Sequence, residues 1–468
     1  MLDAKDEADT RTGRVMDAIR RKLAGRVLTA GERLPSIRGF AATMGVSPST
    51  VVEAYDRLTA EGLIRARPGS GFYVAGAVPP FALAQAEPRR DRAIDPLWVS
   101  RQSLDADEAM LKPGCGWLPA DWMPNDSIRR GLRGLARRED PLLADYGPTQ
   151  GSPSLRRLLA RQLAEAGIDA GPDQILMTAS ATQAIDLVCR YLLQPGDTVL
   201  VDDPCYFNFL AMLRAHRAKV VSVPYTPAGP DLARFSEALE THRPRLYITN
   251  SALQNPTGAT LSPQVAHRLL SIAAAHDLTI VEDDIFADFE QEPSPRLAAL
   301  DGLARVIRIG SFSKTLSASF RCGYVAARPD WIEDLADLQV ATGFGGPSPL
   351  AAELVRGVLS DGSYRKHLAG LRGRLAKARR EVATRLGSLG VRPWLEPRGG
   401  FYLWSRLPDG LDAAKVAQAA LGEGLVLAPG DVFSAARSAS DFMRFNAAQM
   451  SDPRVFAGLA RALDAART

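Results

Sequence analysis

Apolar positions change their period along this chain. Over residues 11 to 75 the spacing is helical. Val15, Ile19 and Leu23 share one face of "RTGRVMDAIRRKLAGR", and Gly25 suits that helix's end. Ile37, Phe40, Ala41 and Met44 fall at i, i+3, i+4 and i+7, and Val51, Ala54, Tyr55 and Leu58 repeat the stripe. Between the last two runs lies Gly45, followed by Ser47 as an N-cap and Pro48 at the first helical position. Two short helices about a tight turn form a helix-turn-helix. "LIRARPGSGFYV" then predicts two short strands around a Pro-Gly turn, a β-wing.

Near residue 75 the periodicity stops. "AGAVPPFALAQAEPRRDRAIDP" has neither helical nor strand period and is expected to be an extended linker over residues 76–109. From residue 110 to 468 short β-branched runs alternate with helical patterns. That alternation predicts an α/β domain with a mainly parallel sheet, with a smaller C-terminal α+β part from about residue 350.

Composition changes this picture little. A hydrophobic share of 46% and a charged share of 24% are those of a globular protein. The polar start "MLDAKDEADT" and the lack of a long apolar run predict neither signal peptide nor membrane span, hence a cytoplasmic protein. Cysteines at 115, 189, 205 and 322 have no metal-site spacing, so no metal is expected. Residues 1–75 hold 12 Lys and Arg against 9 Asp and Glu, a balance of +3. In a helix-turn-helix with a wing, Arg38, Arg65, Arg67 and the wing's Gly69 lie where a duplex approaches. Ser47, Ser49 and Thr50 open the third helix, where phosphates or base edges are met.

This first region resembles the GntR family of winged-helix regulators through "GERLPSIRGFA", "VSPSTVVEAY", "EGLI" and "RPGSGFYV". The resemblance implies binding to double-stranded DNA. Many relatives have an arginine where Pro48 stands, so weaker phosphate binding is expected here.

In the second region the polar residues gather at strand ends, where open α/β sheets bind ligands. Ser180, Ala181 and Thr182 start a helix, which suits either a phosphate or an ordinary cap. Tyr206 follows a strand end and fits either a stacking ring or a core aromatic. Asn255 lies in the turn "QNPTG". The strand "LTIVEDD" ends in Glu282, Asp283 and Asp284, of which alternation sends only some to one face. "SFSKTLSASFR" sets Lys314 between Ser311 and Ser313, with Arg321 seven positions on. A phosphate grip, an aromatic, an asparagine, a carboxylate and an amine together describe a site for pyridoxal 5′-phosphate.

Residues 110 to 468 resemble class I aminotransferases of fold type I through "YGPTQGSPSLRRLL", "DDPCYF", "QNPTG", "SFSKTLSASFRCGYV", "PRGGFYLW", "APGDVFS" and "MRFNAAQ". The resemblance implies Lys314 as the internal aldimine, Asp283 on the ring nitrogen, Asn255 on the ring hydroxyl and Tyr206 on the ring face. It implies Ser180, Ala181, Thr182, Ser311, Ser313 and Arg321 around the phosphate, and Tyr146 reaching the neighbouring subunit's cofactor. It also implies that Arg444 holds the α-carboxylate of a substrate or effector. Phe286 stands where many members have a tyrosine, so slow chemistry is expected.

A winged helix joined to such a domain is the layout of the MocR branch of the GntR family. It implies a homodimeric regulator, head-to-tail in relatives, that senses an amine, an amino acid or the cofactor itself. A working aminotransferase is the competing reading.

Overall fold

The structure, a computed structural model, describes residues 10–24, 28, 31–67, 70–75, 96–107, 109–137, 144 and 146–467. Gly69 and residues 76–95 of the expected linker lie outside them. The chain divides into two units between Arg92 and Ala93.

The first unit holds α1 (Arg11–Ala24), α2 (Ile37–Met44), α3 (Pro48–Ala60), β1 (Ile64–Arg67) and β2 (Gly71–Val74). The predicted stripes form its core: Val15, Ile19, Phe40, Ala41, Val51, Ala54, Tyr55 and Leu58 are buried. Gly45 closes α2 at φ 63°, a left-handed angle that glycine adopts without a Cβ penalty, and turns the chain into α3. Ser47 caps α3, its Oγ accepting from the Thr50 amide at 3.3 Å. β1 and β2 pair antiparallel from Ile64↔Val74 to Arg67↔Gly71, forming the wing.

The second unit begins with α4 (Pro96–Asp105), α5 (Asn125–Leu135) and α6 (Pro153–Glu165). Helix α4 lies where the linker was expected to continue. Its Val99 is buried among Phe207, Trp404, Val432 and Phe433, so packing orders a stretch too short to show its own periodicity.

There follow β3 (Ile175–Thr178), α7 (Ala181–Leu192), β4 (Thr198–Asp203), α8 (Phe207–Ala215), β5 (Lys219–Thr226) and β6 (Gly229–Pro230). Next are α9 (Leu232–His242), β7 (Leu246–Thr249), α10 (Pro263–Ala275), β8 (Thr279–Asp283), α11 (Leu297–Asp301), β9 (Val306–Ser311) and β10 (Gly323–Ala326). These strands make one sheet in the order β3-β10-β9-β8-β7-β4-β5-β6. β4, β5, β7, β8 and β9 run parallel, whereas β10 runs against both β9 and β3.

Strand alternation supplies both faces of this sheet. Leu200, Tyr247, Ile280 and Val306 meet α6, α9, α10 and α11. Val199, Val201, Leu246, Ile248, Val281 and Ile307 meet α7, α8 and α12 (Pro329–Gly343). A sheet covered on both faces leaves its strand ends as the place for a ligand.

After α13 (Pro349–Ser360), the 26-residue α14 (Ser363–Ser388) leads to an antiparallel sheet of β11 (Arg392–Pro393), β12 (Tyr402–Arg406), β13 (Ala428–Pro429) and β14 (Phe442–Asn446). The helices α15 (Ala413–Gly422) and α16 (Pro453–Ala465) cover it. Residues 111–117 also join this part: the Gly114 amide donates to the Val426 carbonyl at 2.9 Å, and the Asn446 amide to the Pro113 carbonyl at 2.7 Å. No described helix is long and apolar enough to cross a membrane.

Candidate cofactor site and nucleic-acid surface

Parallel strands put the ends of β4, β7, β8 and β9 on one edge, and β3 ends on the same side. Three consecutive carboxylates there have three fates. Glu282 accepts from the amides of Leu297 and Ala298 at 2.8 and 2.9 Å, capping α11. Asp284 is bound by Arg296 at 2.7 Å and Arg308 at 2.8 Å, all three buried. Asp283, buried as well, has no arginine within ion-pair distance among the described residues; its Oδ1 accepts the Ile285 amide at 3.3 Å, and the Asn250 side chain lies within hydrogen-bonding reach of its carboxyl. Alternation thus turns Asp283 away from its neighbours' partners.

Lys314 follows β9. Its Nζ donates to the Gly116 carbonyl at 2.6 Å. Burial first, and then the charge of Arg444, lower its pKa to about 8, while Cys115 and Asp283 pull the other way. Burial, with the adjacent Asp284, lifts Asp283 to about 7. A cationic ring nitrogen would favour the carboxylate form of Asp283. The reactive form of Lys314 is the free amine, which grows as pH rises through about 8. Uptake of pyridoxal phosphate by apoprotein, followed by visible absorbance, is therefore expected to accelerate through that pH. A profile flat across it would contradict this assignment.

Asn255 and Arg444 complete the cleft. Arg444, on β14, is 1% exposed and has no carboxylate within ion-pair distance among the described residues. Its Nη1 donates to Asn255 Oδ1 at 2.8 Å and its Nη2 to the Gly114 carbonyl at 2.7 Å, while Nε has no partner. The guanidinium lies 4.3 Å from the Tyr402 ring centroid. A buried cation held only by neutral oxygens and aromatic faces suits an incoming carboxylate. Tyr206 precedes α8 and packs on Phe207 and Phe209. Arg444 and Asp283 both act electrostatically on its phenol, whose pKa burial raises.

The phosphate candidates meet at two turns. Ser180 caps α7, accepting from the Gln183 amide at 3.0 Å, which places Ala181 and Thr182 in the helix's first turn. Ser311 Oγ donates to Ser313 Oγ at 3.1 Å. Arg321 is exposed at φ 48°, with no hydrogen-bond or ion-pair partner among the described residues. Tyr146 is not drawn into this cleft by its own chain. It is 82% exposed and its ring meets the exposed Phe344 edge-on at 5.1 Å. Phe286 is buried against Phe289, Phe401 and Tyr402, so no hydroxyl is offered from its position.

Several neighbours escaped the sequence reading. Gln254, fully buried, donates to the Pro204 carbonyl at 2.5 Å and accepts from Thr257 Oγ1 at 2.5 Å. It therefore ties the loop carrying Tyr206 to the turn carrying Asn255. Asn446 Nδ2 donates to the Trp117 carbonyl at 2.7 Å and steadies the segment that receives Lys314. A Cβ on Gly116 would lie 3.2 Å from the Tyr402 hydroxyl and 3.8 Å from Lys314 Nζ. A Cβ on Gly323 would press within 3.1 Å of the start of α7. The glycine-bracketed "PGCGW" was the one available signal for the 113–117 segment.

In the first unit, Arg38 is exposed on α2, and Arg65 and Arg67 are exposed on β1. Arg67 also stacks over the Tyr73 ring at 4.4 Å. The exposed Ser47 and Ser49 and the half-buried Thr50 are mutually bonded, with Ser47 Oγ 2.8 Å from each of the other two hydroxyls. Arg33, not singled out in the sequence, bridges to Tyr73 on the wing.

Residues 11–74 match the bacterial regulatory proteins of the gntR family, and residues 123–461 match aminotransferase class I and II. Among whole-length relatives is the HTH-type transcriptional regulator YdcR of Escherichia coli, 32% identical over 92% of this chain and 94% of that protein. The probable rhizopine catabolism regulatory protein MocR of Rhizobium meliloti is 30% identical over 92% of this chain and 88% of its own. This chain belongs to the MocR branch of the GntR family. As a MocR-type regulator it joins a DNA-binding winged helix to an aminotransferase domain. The α-aminoadipate aminotransferase LysN of Thermus thermophilus superposes with a TM-score of 0.71 at 27% identity, covering 79% of this chain and 94% of LysN. Pyridoxal 5′-phosphate is the cofactor of that domain family, and the residues present fit it. A buried carboxylate and a buried arginine, each without an ion-pair partner among the described residues, an amine of lowered pKa and two glycine gaps share one edge.

Proposed function

We propose that this MocR-type regulator uses its aminotransferase domain to sense a small amine or amino acid. The observation that carries the reading is Arg444: a buried guanidinium that, among the described residues, has no carboxylate partner and an unsatisfied Nε. In this proposal Lys314 joins the cofactor aldehyde, Asp283 holds the ring nitrogen and Tyr206 covers the ring. Asn255, whose Oδ1 is taken by Arg444, donates its amide to the ring hydroxyl. Ser180, Ala181, Thr182, Ser311, Ser313 and Arg321 hold the phosphate. Tyr146 serves the site of the second subunit in a homodimer, arranged head-to-tail. Bound pyridoxal phosphate supplies an aldehyde for amines and an electron sink.

DNA contacts fall to Arg38, Arg65, Arg67, Gly69, Ser47, Ser49 and Thr50. An effector that fits one dimer arrangement better shifts the population toward it, and operator half-sites read the resulting spacing. Slow transamination is a second reading, favoured by the lowered pKa of Lys314.

The test is a screen of amino acids and amines on full-length protein, recording absorbance, keto-acid release and retention of the promoter beside its own gene. An effector should change the spectrum and promoter retention together. Fast keto-acid release with unchanged retention would establish an enzyme instead. Arg444→Leu is expected to weaken carboxylate-bearing effectors about a hundredfold, the scale of losing one partner of a buried charge pair, and to spare plain amines.

A further inference from the structure

Helix α14 buries Tyr364, Leu368, Leu371, Leu375, Val382 and Leu386 along one side. Along another run Lys366, Gly370, Gly373, Lys377 and Arg380, in steps of four, three, four and three, so they form one row. All five are exposed. The helix as a whole carries eight Lys and Arg against the single Glu381, an excess of +7 in a chain whose total is +4. That exceeds the +3 of residues 1–75.

The charge of the row is largely unpaired among the described residues. Lys366 and Arg380 have no ion-pair partner among the described residues, and Lys377 reaches only Glu381, at 3.7 Å. Nor does packing explain the glycines. Both weaken a helix relative to alanine, yet a Cβ at Gly370 or Gly373 meets nothing within 4 Å. The row is about 21 Å long at 1.5 Å per residue, with its cations at the ends and a low centre.

We infer that this row is a second DNA-contacting face, laid along a phosphate backbone without reading bases. It rests on the chain being a DNA-binding regulator. A polyanion is the partner that the charge selects, because two copies meeting through this row would oppose like charges. The glycines let the sugar-phosphate chain lie close to the helix while the cations reach phosphates on either side.

The probe is a random-sequence duplex of about six helical turns, with full-length protein over a salt series. In Lys366→Gln/Lys377→Gln/Arg380→Gln the slope of log affinity against log salt is expected to become shallower by about 2.7, near 0.9 per lost phosphate contact. Gly370→Gln/Gly373→Gln keeps the charge and favours the helix, so it should bind this duplex more weakly at an undiminished melting temperature. Wild-type slopes in the triple variant would overturn the inference. So would a triple variant whose only change, by sedimentation, is its oligomeric state. Promoter retention lost in Arg38→Ala/Arg67→Ala but unchanged in the triple variant would leave the winged helix as the sole DNA reader. Wild-type protein that binds no duplex would remove the underlying reading as well.

Discussion

Lys314→Ala is expected to leave a folded protein that no longer acquires visible absorbance when mixed with pyridoxal phosphate. The amine is the one group in the cleft whose role cannot pass to a neighbour. Its Nζ points at the Gly116 carbonyl, and its pKa of about 8 keeps an appreciable free-amine fraction near neutral pH. The effect should be complete for the covalently held cofactor. Residual binding through Asp283 and the phosphate turns is expected to wash out on gel filtration. Unaltered absorbance in the alanine variant would refute the cofactor assignment. Folding should survive because Lys314 makes no ion pair within 4.0 Å among the described residues.

The second large effect is one of stability, one residue away from Asp283. Asp284→Asn should lower the melting temperature sharply, whereas Asp283→Asn should not. Asp284 neutralises two buried guanidinium groups, Arg296 and Arg308, at 2.7 and 2.8 Å. Glu290 shares Arg296 at 2.6 Å, but Arg308 has no other carboxylate within ion-pair distance among the described residues. Removing the partner of a buried charge costs about 3–5 kcal/mol. For Asp283 the opposite sign holds in apoprotein: with its pKa near 7 the buried carboxyl is already half protonated at neutral pH, so the amide is a mild change. Its cost should emerge in cofactor affinity. Thermal denaturation with and without cofactor separates the two. Equal melting losses in both variants would contradict these roles.

The pair shows where sequence reasoning stops. Three acids in a row at a strand end suited either a site or a solvated end, and alternation said that they divide between two faces. Which face was the cleft depended on Arg296 and Arg308 coming from other segments. The helix start at Ser180 was legible for a simpler reason: a capping serine and a helical stripe are local features, and Ser180 caps α7 as its position promised. The helix-turn-helix was local too. Its three stripes and the cap at Ser47 needed only helical periodicity. By contrast, "PGCGW" carries no period, and its importance rests on contacts with Val426, Asn446 and Lys314 far along the chain. Helix α4 was hidden because its stability comes from the aromatic cluster that receives Val99.

The sequence by itself determined the two-unit plan, the winged helix, the alternating strands and helices, and the residue types gathered at strand ends. Those follow from periodicity and from local cap and turn chemistry, which act over a few residues. Tertiary structure alone decided that Asp283 stands apart from its paired neighbours, and that Gln254 ties the Tyr206 loop to the Asn255 turn. It also decided that Arg444 enters the cleft of Lys314 with no carboxylate partner among the described residues. Desolvation and long-range pairing set those outcomes, and both exist only once the sheet edge and the small subdomain are packed together.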